Sequence, residues 1–160
     1  MNNVRESLPS FGQVGRTGSW ILADDVEDLE VTGRFLGAST SYRKVHTRHS
    51  GPYAAKRERC AACRWSEFRI FRRKTGGYVV HTVGGSSVPG EIDGYKPHAR
   101  TALTPPEVLE ILTTRLKPQA GSTYQRERSV FFSDAAARVL AQASAFDEPL
   151  EDAWENRRIA

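Results

Sequence analysis

"RWSEFRIFRRKTGGYVVHTVGG", residues 64–85, is the stretch from which the architecture follows. Aromatic and β-branched residues stand on both sides of a Lys74–Gly77 turn, the pattern of a β-hairpin. Strand side chains alternate between faces, so Phe68 and Ile70 share one face of the first arm, and Trp65, Glu67, Arg69 and Phe71 share the other. In the second arm Tyr78, Val80 and Thr82 oppose Val79, His81 and Val83. His81 therefore shares a face with valines, and both faces of the hairpin are partly covered.

Upstream, "LEVTGRFLGASTSYRKV" (29–45) alternates Leu29, Val31 and Phe35 with Glu30, Thr32 and Arg34, the period-two signal of a half-buried strand. Gly37 is expected to turn it, so that the continuation returns antiparallel and ends at His46. "ILADDVEDLE" (21–30) is acidic but lacks the ligand spacing and central glycine of a calcium loop, and reads as a solvated turn. Residues 1–19 show no periodicity and read as a flexible N-terminal arm, leaving 20–160 as a single domain.

Downstream, "GGSSVPGEIDGYKPHAR" (84–100) reads as a long loop. A helix is expected over "TPPEVLEILTTRL", with Thr104 as N-cap, Pro105 at the first helical position, and a stripe of Val108, Leu109, Ile111, Leu112 and Leu116. A second starts at Ser133 with a stripe of Ala136, Val139, Leu140, Ala143 and Phe146, and a last one, about 148–157, buries Leu150 and Trp154. Strands first and helices last predict an α+β domain: an antiparallel sheet of at least four strands followed by two to three C-terminal helices. The stripes are core and carry no ligand role.

The 160 residues, 39% hydrophobic and 26% charged, suit one globular core. No apolar run approaches the ~20 residues of a membrane span, and the N-terminus lacks a secretory core, which predicts a cytoplasmic protein without a membrane partner. In a reducing compartment, paired cysteines serve as metal ligands or a redox couple rather than a structural disulfide.

Residues 46–63, "HTRHSGPYAAKRERCAAC", hold two of the four histidines and both cysteines. His46-x2-His49 and Cys60-x2-Cys63 are two short-spaced couples, the supply of a tetrahedral structural zinc site. The cysteine half is the stronger signal, since zinc fingers place their histidines with three to five residues between them. Arg59 and Arg64 flank the thiols and favour thiolates, which metal binding and redox chemistry both need. A thioredoxin-type motif sits where a strand feeds a helix, whereas strand formers follow Cys63; zinc is preferred to a redox pair or to two unligated thiols in a basic loop. A hydrolytic metal centre assisted by Glu67 and His81 is a minor alternative.

The net charge of +4 hides an asymmetry: residues 43–74 carry eleven Lys and Arg against Glu58 and Glu67. Arg43, Lys44, Arg48, Lys56, Arg57, Arg59, Arg64, Arg69, Arg72, Arg73 and Lys74 form the expected binding face, interleaved with Tyr42, Tyr53, Trp65, Phe68 and Phe71. Cations neutralise phosphates while aromatic rings stack on unpaired bases. The glycines of "HTVGGSSVPGE" match no phosphate-loop spacing, and no G-x-S-x-G elbow supports a nucleophilic triad.

The span from "ERCAACRWSEFRIFR" to "GGYVVHTVGGSSVPGE", about a third of the chain, resembles small uncharacterised proteins of actinobacteria and their phages. The resemblance implies a phage or mobile-element setting and carries over no catalytic residue. The function expected from the residues is a non-enzymatic, zinc-stabilised nucleic-acid-binding accessory protein. The alternative is a modulator or inhibitor that docks the same basic face on an acidic host protein.

Overall fold

The 64–85 hairpin lies inside a five-stranded antiparallel sheet of order β1-β2-β5-β6-β7. A computed structural model describes residues 4–42, 45–46, 58–59, 64–118, 120–121 and 128–159. Along the chain the strands are β1 (Thr17–Leu22), β2 (Leu29–Thr40), β3 (Val45–His46), β4 (Glu58–Arg59), β5 (Arg64–Arg73), β6 (Tyr78–Ser86), β7 (Tyr95–Ala102), β8 (Thr113–Leu116) and β9 (Arg128–Phe131). The helices are α1 (Val4–Ser7), α2 (Pro105–Leu112), α3 (Asp134–Ser144) and α4 (Glu148–Ile159), with a 3₁₀ turn at Phe11–Gln13. A sheet followed by three C-terminal helices is the expected α+β class.

The hairpin register follows the alternation in the sequence: Phe71 faces Val79, Ile70 faces Val80 and Arg69 faces His81. Gly76 and Gly77 at the turn have φ of +104° and +81°, the left-handed region open to glycine. One face of the sheet, with Leu36, Phe68, Ile70, Tyr78 and Val80, packs on Val108, Leu109 and Leu112 of α2, Val139, Leu140 and Ala143 of α3, and Leu150 of α4. The other face carries Leu22, Val31, Phe35, Phe71, Val79 and Val83, with Leu8 of the N-terminal segment in the same cluster. Phe35 stacks on Phe71 there at 5.1 Å between centroids, and Trp20 meets both rings at an angle at 5.3–6.2 Å.

Four details differ from the sequence expectation. Residues 8–19, read as part of an arm, lie against the sheet: Leu8 is buried, Pro9 O accepts from Arg69 Nε at 3.0 Å, and β1 pairs with β2 from Thr17 to Leu22. Gly37 does not turn the chain; β2 runs through it with a bulge between Phe35 and Gly37. There a Cβ would meet Val139 O and Ala143 N at 2.9 Å, so glycine admits the backbone of α3 rather than a reversal. The loop expected over 84–100 shrinks to 87–94, because Gly84–Ser86 complete β6 and Tyr95–Ala102 form β7, an edge strand that tolerates Pro97. Finally, α2 stops at Leu112, and Thr113–Leu116 leave it as a β-branched strand paired with β9, so Leu116 is exposed rather than in the stripe.

The last two helices keep their expected starts. Ser133 Oγ accepts from Ala136 N at 3.1 Å, and Asp147 Oδ2 accepts from Leu150 N at 3.2 Å. Thr104 occupies the N-cap of α2 in extended conformation without a side-chain capping bond, and Glu107 instead accepts from Leu103 N at 2.8 Å.

Candidate functional site

The histidine and cysteine couples lie in the connection between β2 and β5. Residues His49, Cys60 and Cys63 are outside the described residues. What is described is a short antiparallel ribbon, in which β3 pairs with β4 so that Val45 stands opposite Arg59 and His46 opposite Glu58. Among the described residues no group of three His, Cys, Asp or Glu side chains is placed to hold a metal.

The basic residues separate into distinct environments. Arg43, Lys44, Arg48, Lys56 and Arg57 are outside the described residues, and Arg59 is placed through its backbone in β4. Arg64 is bound by Glu91, whose carboxyl is held down to about 2 by the Arg64 guanidinium and by the Ser86 hydroxyl. Arg69 is not on the surface: it is 4% exposed on the inner face of β5, because strand alternation turns it under residues 8–11. Arg72 donates to Asp147 at 2.6 Å, and this pairing holds its guanidinium pKa above the usual value. Arg73 and Lys74 sit at the turn, at the opposite end of β5 from Arg64 and about 30 Å away at ~3.3 Å per residue. The block of eleven cations is therefore not one face.

A cavity of about 540 Å³ opens where the β2–β5 connection leaves and rejoins the sheet. Its walls are Leu8, Ser10 and Phe11 from the N-terminal segment, Thr40 and Tyr42 from the end of β2, Trp65, Glu67 and Arg69 from β5, and Ser87. Tyr42 and Trp65, which flank residues 43–63, meet edge to face at 4.7 Å between ring centroids. Glu67 and Arg69 are almost fully buried at 2% and 4%, in loose contact at 3.4 Å. The Arg69 guanidinium lies 5.0 Å from the Phe11 ring, a cation–π arrangement. Trp65 fits because its cross-strand partner is Gly85: a Cβ there would lie 2.1 Å from the indole Nε1. The neighbouring Gly84 does the same for Tyr95, whose ring stands 2.6 Å from where a Cβ would be.

Glu67 and His81, the helpers of the hydrolytic alternative, are set into the same face of the sheet through the Glu67–Val83 and Arg69–His81 pairs. Glu67 accepts from Arg69, and His81 is bonded at 2.8 Å to Ala23 O. A carbonyl only accepts, so Nε2 carries the hydrogen and Nδ1 is the bare nitrogen. Burial lowers the His81 pKa to about 4, against the contrary pull of the Ala23 bond, so the ring is neutral near pH 7. Both side chains are almost fully buried within the sheet.

Sequence reasoning placed Trp65, Glu67 and Arg69 on one face but did not recognise that the face forms a cavity. The available signal was the Gly84-Gly85 pair directly opposite two aromatic residues, which marks strand positions overlaid by rings rather than a loop. Among the described residues no helix is long and apolar enough to cross a membrane. Comparison with known proteins found no matching family model, no matching curated protein and no matching solved structure.

Proposed function

We propose that this protein is a non-enzymatic nucleic-acid-binding module in which zinc, held by His46, His49, Cys60 and Cys63, organises the basic connection between β2 and β5. The observation that carries the reading is the β3–β4 ribbon. It sets His46 opposite Glu58 and Val45 opposite Arg59, so the stretch that opens the histidine couple runs beside the residues that precede Cys60 in the sequence. That backbone pairing supports reading the histidine and cysteine couples, fourteen residues apart from His46 to Cys60, as one site.

Six cations, Arg43, Lys44, Arg48, Lys56, Arg57 and Arg59, accompany Glu58 in that connection. With Arg64, Arg69 and Arg72 engaged by Glu91, Glu67 and Asp147, the connection becomes the centre of phosphate binding. A bound ion fixes the loop, so its removal loosens the surface that meets the strand. The test is metal analysis of untagged protein beside oligonucleotide binding at 50 and 200 mM salt. The reading expects near one zinc per chain, affinity falling by about three hundredfold for six phosphates neutralised on a single strand, and loss of binding on chelation. Metal-free protein, or binding indifferent to salt, would overturn it.

A further inference from the structure

We propose that the cavity beside the β2–β5 connection takes one unpaired base of a bound single strand, held by its ring face against Phe11, Tyr42 and Trp65. The inference rests on the nucleic-acid reading above and names the part of the strand that this site receives. The three rings come from separate parts of the chain: the N-terminal segment, the residues just past β2, and the start of β5. Phe11 and Tyr42 remain 36% and 39% exposed, and Trp65 is half-buried. Apolar surface gathered around one concavity and left open to solvent marks a ligand site.

The geometry suits a flat ligand. Tyr42 and Trp65 meet edge to face, with 4.7 Å between centroids and 62° between planes. In such a pair one ring gives only its edge, so its own π-faces are left out of the contact. Glycine at position 85 is what lets the indole stand at the wall, since a Cβ there would collide with it. The volume, about 540 Å³, lies within the ~300–1,000 Å³ of small-ligand sites. A base inside a duplex has its faces covered by its neighbours and must be swung out of the stack to enter such a cavity, whereas a base of a single strand is already free to do so.

Charge chooses among the ligands that aromatic walls accept. Three rings also suit a quaternary ammonium, but the Arg69 guanidinium already lies 5.0 Å from the Phe11 ring. In the sequence Arg43 and Lys44 directly follow Tyr42 and open a connection with six cations against Glu58. A cationic ligand is repelled there, and a ring carried on a phosphate backbone is attracted. Glu67 and Arg69 have partners within the protein and are almost fully buried, so no reading of a base edge is assigned to them. Stacking alone tolerates any base, because each has a π-face.

The test measures binding of the zinc-loaded full chain to an oligothymidylate, to the same sugar-phosphate strand without bases, and to a duplex, each over a range of salt concentrations. The oligothymidylate is expected to bind most tightly. Tyr42→Ala should weaken its binding about five- to 150-fold, the range for one stacked base, and leave the dependence of log K on log salt as it was, because no phosphate contact is lost. The abasic strand should bind the variant and the native chain alike. Trp65→Leu should repeat this pattern; if circular dichroism shows either variant unfolded, the other variant and the three nucleic acids on the native chain carry the test. Equal binding of the thymine and abasic strands, a duplex bound as tightly as the thymine strand, or a folded Tyr42→Ala that keeps full affinity or flattens the salt dependence overturns the inference and leaves the nucleic-acid reading standing. A preference above about tenfold between thymine and cytosine strands does the same, since rings of one size are told apart by their edges. No binding of any of the three sinks that reading and this inference with it.

Discussion

A methyl group at position 37 would lie 2.9 Å from both Val139 O and Ala143 N, and both belong to helix backbone. No side chain can swing aside to make room, so Gly37→Ala must push α3 off the sheet. Overpacking of this kind costs about 1–3 kcal/mol, and urea unfolding should show a midpoint lowered accordingly with an unchanged slope. Position 85 differs in kind, since the obstructing group there is the Trp65 side chain rather than backbone. His81 makes the other single-residue prediction. Burial, its largest influence, lowers its pKa to about 4, while an unfolded histidine titrates near 6.5. Between these values the unfolded chain binds a proton that the folded chain refuses, so stability falls as pH drops through 6.5 toward 4. By pH 5 the loss is about 2 kcal/mol, at ~1.36 kcal/mol per pH unit. His81→Leu should remove that increment from the pH dependence of unfolding, and an identical pH profile in the two proteins would show that His81 does not set it. The sequence reveals that His81 sits among valines, because alternation is local. It cannot reveal Ala23 O, which lies fifty-eight residues away.

Asp147 joins three elements through one carboxylate. Its Oδ1 accepts from Arg72 of β5, and its Oδ2 accepts from the Tyr78 hydroxyl of β6 at 2.7 Å and from Leu150 N in the first turn of α4. Desolvation, with the Asp147 bond second, raises the Tyr78 pKa and keeps the phenol protonated as the donor. Asp147→Ala removes a helix cap worth about 1 kcal/mol and strands a buried hydroxyl at about 1–3 kcal/mol, so a loss of about 2–4 kcal/mol is expected in chemical denaturation. In the Tyr78→Phe background the same substitution should cost less, and additive losses would mean that the two side chains are not coupled. Elements whose signals are periodic were readable in advance: the hairpin, the stripe of α3 as far as Ala143, and the starts at Ser133 and Pro105; Phe146, expected to end that stripe, lies past the helix and is exposed. Elements defined by a partner were not. β1 has no alternation strong enough to announce it, and "TTRL" continues a helical stripe on paper until pairing with Arg128–Phe131 draws it into a ribbon. The free edge of β2 beyond β1 is likewise closed only in three dimensions, by Gln142 accepting from Ala38 N at 2.7 Å and Arg138 donating to Thr40 O at 2.8 Å.

Charge along the chain is a one-dimensional quantity, and folding redistributes it. The eleven cations of residues 43–74 read as one basic face because they are contiguous, yet β5 is a ten-residue rod that carries Arg64 to one end and Arg73 to the other. Alternation then buries Arg69, and the tertiary partners Glu91 and Asp147, both far downstream, engage Arg64 and Arg72. None of those partners is visible to a local count. Exposed charges separated by about 30 Å are insulated by a screening length of ~8–10 Å at physiological salt, so the two ends of β5 act independently on a polyanion. Two paired substitutions separate them. Lys56→Gln with Arg57→Gln should weaken oligonucleotide binding and flatten the dependence of log K on log salt by about one and a half, since each phosphate neutralised on a single strand contributes ~0.7. Arg73→Gln with Lys74→Gln removes the same number of charges from the turn and should leave both affinity and slope as they were. Equal losses from the two pairs would mean that the bound strand runs the length of β5, and would transfer the interface from the β2–β5 connection to the sheet itself.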